Sequence, residues 1–103
     1  QGVGQVLMEQ VVYDQSSGQL LSGSFMDYAM PRADNFGPIE IESHAVPTAL
    51  NPLGVKGAGE AGTVGALPAL MNAIMNALAV VGVKHLDLPA SPERIWQAIQ
   101  EAK

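Results

Sequence analysis

The chain has 103 residues, of which 48% are hydrophobic and 15% are charged, and its formal net charge is −5. A chain of this length forms one domain at most. Its five basic residues, set against ten acidic ones, argue against a nucleic-acid partner, since phosphate binding needs clustered lysine and arginine. The absence of cysteine excludes disulfides, thiol catalysis and cysteine-ligated iron–sulfur clusters within this chain.

An apolar composition with few charges fits either a compact core or a piece of a larger protein whose remainder covers it. We expect the second, with residues 1–103 as a single fragment, large exposed apolar patches and self-association of the isolated chain. The apolar run 66–83 is interrupted by Pro68, Asn72, Asn76 and Gly82, so no membrane span is predicted. The chain opens without a basic leader, which favours a cytoplasmic location and leaves a periplasmic one open.

The first half of the chain mixes helical and strand patterns. Residues 1–12 have apolar side chains at helical spacing and predict a first helix. Residues 13–18 predict the start of a strand and a turn, and residues 19–25 follow this turn. Between 38 and 46, isoleucines 39 and 41 alternate with glutamates 40 and 42, which predicts a half-buried strand.

The second half is dominated by one apolar segment. Nearly every position from 66 to 81 is apolar, which predicts a helix buried all round with Pro68 in its first turn. A short strand is predicted over 83–88. Ser91 as N-cap, followed by Pro92, predicts a last helix over 92–102. The predicted fold class is therefore α+β: short mixed strands, the helix at about 66–81 and the C-terminal helix, all within a larger domain.

The glycine-dense loop 54–65 (GVKGAGEAGTVG) is the main functional signal. It places Lys56 and Glu60 directly before the apolar helix, whose N-terminus attracts negative charge. Glycine lets a backbone approach a ligand closely, so the loop is expected to wrap one. The bland alternatives are a solvated Lys56 and a Glu60 that is only a first-turn acid.

Two other interpretations fit parts of the sequence. Gly57, Gly59 and Gly62 match the G-x-G-x-x-G fingerprint of a nucleotide-binding module, but the residues before the loop contain two prolines, which are unlike a central parallel strand. A non-enzymatic interaction domain that uses its apolar surface is the other alternative. His44 and His85 have no spacing that suggests a metal site, and no metal ligand is predicted.

Four segments taken in order resemble the C-terminal part of the molybdopterin-binding large subunit of the molybdenum hydroxylases. That family includes xanthine dehydrogenases, aldehyde oxidases and aerobic carbon monoxide dehydrogenases. The matching segments cover almost the whole chain and are residues 1–9 (QGVGQVLME), 23–31 (GSFMDYAMP), 51–62 (NPLGVKGAGEAG) and 88–93 (LPASPE). The resemblance implies a fragment of a molybdenum-dependent oxidoreductase that acts on an aldehyde, an N-heterocycle or carbon monoxide.

The resemblance also implies residue roles. In the family, the glutamate at the Glu60 position lies beside a molybdenum bound by a pterin dithiolene. It acts as general base towards the labile hydroxyl of the metal, whose oxygen attacks the substrate carbon while hydride passes to a sulfido group. Lys56, Gly57, Ala58 and Gly59 match the segment that runs along the pterin, which is molybdopterin or its cytosine dinucleotide.

The resemblance further implies what lies outside this chain. The implied partners are the remainder of the large subunit, iron–sulfur and FAD domains or subunits, and a small-molecule substrate. The fragment alone is expected to be inactive and to bind no cofactor. Ala61 stands where purine-oxidising eukaryotic members carry proline, which puts a purine substrate in doubt.

Overall fold

The computed structural model describes residues 1–102, which form three α-helices joined by long irregular segments. Helix α1 spans Gly2–Leu7, α2 spans Ala61–Ala79 and α3 spans Pro92–Glu101, with one 3₁₀ turn at Ala33–Asn35. The radius of gyration is 18.1 Å and the extents are 56 × 38 × 27 Å. A compact domain of this length has a radius of gyration of about 13 Å, so the chain is an open, elongated shape.

Helix α1 is shorter than the sequence pattern predicted. It ends at Leu7 because Val12 belongs to the next feature, a hairpin-like turn: its N–H donates to the Ser22 hydroxyl (2.9 Å) and its carbonyl accepts from Leu21 (2.8 Å). Val6 is fully buried, and its carbonyl oxygen accepts a 2.6 Å hydrogen bond from the N–H of Ala90. Part of the small core therefore lies at α1, and Leu78 and Val83 are buried near the C-terminal end of α2.

The turn predicted over 13–18 is confirmed. An isolated antiparallel bridge pairs Tyr13 with Leu20, and the Asp14 carboxylate accepts hydrogen bonds from both Ser16 and Ser17. The hydroxyls of Ser16 and Ser17, in that order, lower the pKa of Asp14 well below its usual range. These local bonds close the turn without help from the rest of the chain.

The strands predicted over 38–46 and 83–88 do not form ladders within residues 1–102. A strand needs a neighbouring strand to accept and donate its backbone hydrogen bonds, and no segment of the described chain pairs with either one in this way. Ile39 and Ile41 are 72% and 88% exposed. The α+β class of the larger domain thus stays a prediction, since the chain by itself is mostly helical and irregular.

Helix α2 begins at Ala61, five residues before the predicted start, and takes in glycines that a propensity argument leaves out. It ends where Gly82 adopts a left-handed backbone (φ 89°), with the N–H of Val83 reaching the carbonyl of Leu78 at 3.3 Å. Glycine is the residue best suited to this terminating conformation.

The predicted all-round burial of α2 is not found within this chain, because of its residues only Leu78 is buried. One face is half-buried and includes Thr63, Ala66 and Leu67; the opposite face is open to solvent. The helix is long and apolar enough to cross a membrane by length and composition (mean hydropathy 1.3), a test that core helices of soluble proteins also pass. The prediction of no membrane span therefore rests on the sequence interruptions alone.

Helix α3 confirms its predicted start. The Ser91 hydroxyl accepts a hydrogen bond from the N–H of Arg94 (3.4 Å), and Pro92 occupies the first turn. The Arg94 guanidinium reaches back to the carbonyl oxygen of Leu88 at 2.9 Å. The segment 88–91 is thereby held at both ends, by α3 and by the bond from Ala90 to α1.

Candidate functional site

A turn closed by hydrogen bonds, at residues 48–55, leads into the glycine loop. Gly54 adopts a left-handed backbone (φ 67°), and a Cβ at this position would fall 2.9 Å from the Cβ of Pro47. The Asn51 side chain bonds the backbone of Val55 in both directions, at 2.9 Å and 3.3 Å. Thr48 donates its N–H to the Gly54 carbonyl. These bonds fix the position at which the glycine loop begins. A dinucleotide fingerprint requires a buried strand before the loop, and this turn is not a strand.

Residues 55–60 are all exposed, and Glu60 is the N-cap residue of α2. Its carboxylate makes no capping bond to the helix, and neither Glu60 nor Lys56 has a side-chain hydrogen bond or ion pair with any part of the described chain. The N–H groups of Gly62 and Thr63 also have no acceptor within residues 1–102. The loop therefore presents one exposed carboxylate and one exposed ammonium beside two backbone donors that have no acceptor among the described residues.

Neither crowding nor backbone conformation within residues 1–102 explains the glycines of this loop. A Cβ added at Gly57, Gly59, Gly62 or Gly65 would meet nothing within 4 Å among the described residues, and none of the four has a positive φ. Gly62 and Gly65 lie inside α2, where each costs about 1 kcal/mol relative to alanine. Neither backbone conformation nor internal crowding requires these glycines.

The N-terminus of α1 lies against the first two turns of α2. A Cβ at Gly2 would fall 2.6 Å from the Cβ of Ala66 and 3.5 Å from the carbonyl oxygen of Thr63. The Thr63 hydroxyl donates to the Gln1 side-chain oxygen at 3.3 Å. The sequence pattern singled out Glu60 but missed Gln1 and Gly2 as neighbours of the loop, since spacing along the chain carries no sign of this contact.

The other two segments singled out in the sequence also meet at α1. The Tyr28 hydroxyl donates to the Glu9 carboxylate at 2.6 Å, and this bond raises the Tyr28 pKa, with a smaller contribution from partial burial. A Cβ at Gly4 would overlap Pro31. With the bond from Ala90 to Val6, the segments 23–31 and 88–93 both contact α1 or the residues directly after it, and α1 also contacts the start of α2.

Known proteins match this chain in sequence and in structure. Residues 1–37 match the family described as the molybdopterin cofactor-binding domain. The nicotine 6-hydroxylase large subunit of Paenarthrobacter nicotinovorans is 41% identical over 98 residues, which is 95% of this chain and 12% of that protein. The crystal structure of quinoline 2-oxidoreductase from Pseudomonas putida 86 superposes with a TM-score of 0.88 at 40% identity, over 98% of this chain and 13% of that one. The chain belongs to the molybdopterin-binding large subunits of the molybdenum hydroxylases.

A second curated relative widens the range of chemistry within this family. The carbon monoxide dehydrogenase large chain of Hydrogenophaga pseudoflava is 34% identical over 101 residues, or 98% of this chain and 12% of that protein. The chain thus spans about an eighth of the length of the curated relatives that it matches. Most of a complete large subunit lies outside the residues described.

Metal chemistry has no anchor of its own in the described residues. Residues 1–102 contain no group of three or more His, Asp and Glu side chains that could hold a metal ion. His85 pairs with Asp87 at 2.9 Å, and both side chains are exposed. The candidate site features of the described residues are the loop 56–60 and the start of α2.

Proposed function

We propose that this chain supplies the general base, Glu60, and a cofactor-contacting loop, Lys56 to Gly59, to a molybdenum-cofactor hydroxylase. The single observation that carries the proposal is the exposed, unpaired Glu60 at the N-terminus of α2, in a loop whose glycines nothing in residues 1–102 explains. Family membership supplies the chemical context. The complete enzyme, rather than the isolated chain, is the active species.

The loop fits a large flat cofactor. Gly57, Gly59 and Gly62 carry no side chains, and no described residue occupies the space that side chains at these positions would fill. The backbone at each glycine can therefore approach a pterin or a phosphate closely. The Lys56 ammonium, exposed and unpaired, can reach an anionic part of the same group.

Glu60 has the geometry of a proton acceptor. The carboxylate belongs to the N-cap residue of the 19-residue helix α2, so its position depends on α2 as well as on the loop. When bound, the molybdenum–pterin group supplies oxygen transfer and accepts two electrons. Glu60 takes the proton that must leave the attacking oxygen, and general-base terms of this kind contribute about 10²–10⁴ in rate.

The proposals for the substrate and for the remaining partners rest on the relatives alone. Two of the relatives are named for nicotine and quinoline, which are N-heterocycles, and a third for carbon monoxide. A panel of N-heterocycles, aldehydes and carbon monoxide is therefore the first assay. The rest of the large subunit, together with iron–sulfur and FAD domains or subunits, completes the electron path.

The test is the Glu60→Gln variant of the full-length enzyme, purified with its neighbouring subunits. Gln keeps the shape of the side chain but cannot accept the proton. We expect unchanged molybdenum and pterin content and a turnover number lower by about 10²–10⁴. A turnover within a few-fold of wild type at full cofactor content would remove Glu60 from the mechanism.

Glu42→Gln is the matched control. Glu42 is also an exposed acid with no hydrogen bond or ion pair to the described chain, but it lies in the irregular segment 38–46. We expect this variant to keep wild-type turnover. The comparison separates a specific loss of the base from a general effect of lowering the negative charge.

A further inference from the structure

We infer that α1 is the positioning element of the catalytic base, and that Gly2 and Ala66 set the distance between α1 and the helix that carries Glu60. The inference rests on the proposed function, because it assigns to Glu60 the role argued above. It adds what holds Glu60 in place: a helix of six residues almost sixty positions away in the sequence.

The first two turns of α2 are weak by themselves. No side chain caps them, since Glu60 makes no capping bond, and Gly62 and Gly65 lower their intrinsic helicity. Pro68 lacks the N–H that would otherwise bond to the carbonyl of Val64. A helix start with these features frays unless a tertiary contact holds it.

Helix α1 supplies that contact at the required place. The backbone of Gly2 lies over Thr63 and Ala66, at a distance that leaves no room for a methyl group at position 2. The Gln1 side chain reaches Thr63 one turn after Glu60. The Val6 carbonyl of α1 also accepts a hydrogen bond from Ala90, so the position of α1 does not depend on its contact with α2 alone.

The Gly2→Ala variant of the full-length enzyme tests the distance. The added Cβ would lie 2.6 Å from the Cβ of Ala66, so the start of α2 must move. We expect normal molybdenum and pterin content with kcat lower by about 10- to 100-fold, because a misplacement of about 1 Å can cost about 10² in rate. KM should change little, since the displaced group acts on the chemical step.

Second-site rescue makes the test specific. Ala66→Gly removes the methyl group that the new side chain meets, so the double variant Gly2→Ala/Ala66→Gly should recover most of the lost kcat. Gly4→Ala is the matched control: it lies on the same helix, but its Cβ would meet Pro31 and Glu9. Ala66→Gly should not rescue it. Equal rescue of both variants, or of neither, would overturn the inference.

A thermodynamic cycle tests whether α1 acts through Glu60. In a Glu60→Gln background, Gly2→Ala should lower kcat no further, because the group that it displaces is already inactive. Independent, multiplicative losses would refute the inference while leaving Glu60 as the base. A Glu60→Gln enzyme with normal turnover would instead refute the proposed function, so the two failures are distinguishable.

If Gly2→Ala does not accumulate as folded protein, Thr63→Val tests the same contact more gently. It removes the hydroxyl that donates to Gln1 and keeps the shape of the side chain. We expect kcat lower by about 2- to 10-fold, the range of one hydrogen bond, with no loss in the Glu60→Gln background. An unchanged kcat in this variant would count against the inference.

Discussion

Separated from the rest of its protein, this chain should not persist as a compact monomer. Its accessible surface is 8358 Å², whereas a folded monomer of 10.8 kDa exposes about 5,500 Å². The excess of about 2,800 Å² is more than three times the roughly 800 Å² that each partner buries in a standard interface. Met26, Leu50 and Val80 are each about nine-tenths exposed, so much of the excess is apolar.

We therefore expect the isolated chain to self-associate at concentrations of tens of micromolar. Sedimentation velocity should detect species well above 10.8 kDa, and a dye that binds exposed apolar surface should fluoresce. Val64→Asp combined with Val80→Asp, which replace two exposed valines in α2 and at its C-cap, should shift the distribution towards smaller species. A single monomeric species with no dye binding and a cooperative unfolding transition would refute the reasoning, since it would mean that the exposed area needs no cover.

Two further predictions concern the glycine loop and the Tyr28–Glu9 bond. In the full-length enzyme, Gly57→Val should reduce bound molybdenum and pterin at least tenfold. Gly37→Val is the control and should leave the cofactor content unchanged, because a side chain at either position would meet no described residue and only position 57 lies in the loop. Equal cofactor content in the two variants would argue against a cofactor along the loop. Subtracting the 295 nm titration of Tyr28→Phe from that of wild type isolates the signal of Tyr28, whose pKa should lie above its ordinary value of about 10. The same pair of titrations in a Glu9→Ala background should give a lower Tyr28 pKa. Because the folded pKa is raised, the stability that this bond contributes is complete below pH 10 or so and is lost as the pH rises through the folded pKa; no difference between the two backgrounds would contradict the assignment.

Local features of the fold could be predicted from the sequence. The Ser91 cap with Pro92 behind it, and the end of the apolar helix at Gly82, depend on residues within a few positions of each other. Asp14 closes its turn through its own neighbours in the same way. Such features form in the same manner whether or not the rest of the protein is present.

Features that depend on a distant partner could not be predicted. The alternation of Ile39 with Glu40 indicates which side of a strand is buried, but the neighbouring strand is not among residues 1–102. The apolar run predicts that α2 starts at 66, but the helix begins at Ala61, and α1 lies against its first two turns. For the site, the sequence singled out Glu60 but could not place Gln1 or Gly2 beside its helix.

The glycines separate into groups once the structure is known, and the grouping bears on the function. Three adopt a left-handed backbone, and two more lie so close to other groups that a methyl would overlap them: Gly18, Gly54 and Gly82, then Gly2 and Gly4. Five have open space at the Cβ position and no positive φ. Four of these five fall within residues 57–65, around Glu60, and the fifth is Gly37. Glycines that only loosened the chain would be expected throughout its long irregular segments. Their concentration beside one unpaired carboxylate is what an external group lying against this backbone would require, and it is the reason to substitute Gly57 and Gly37 side by side.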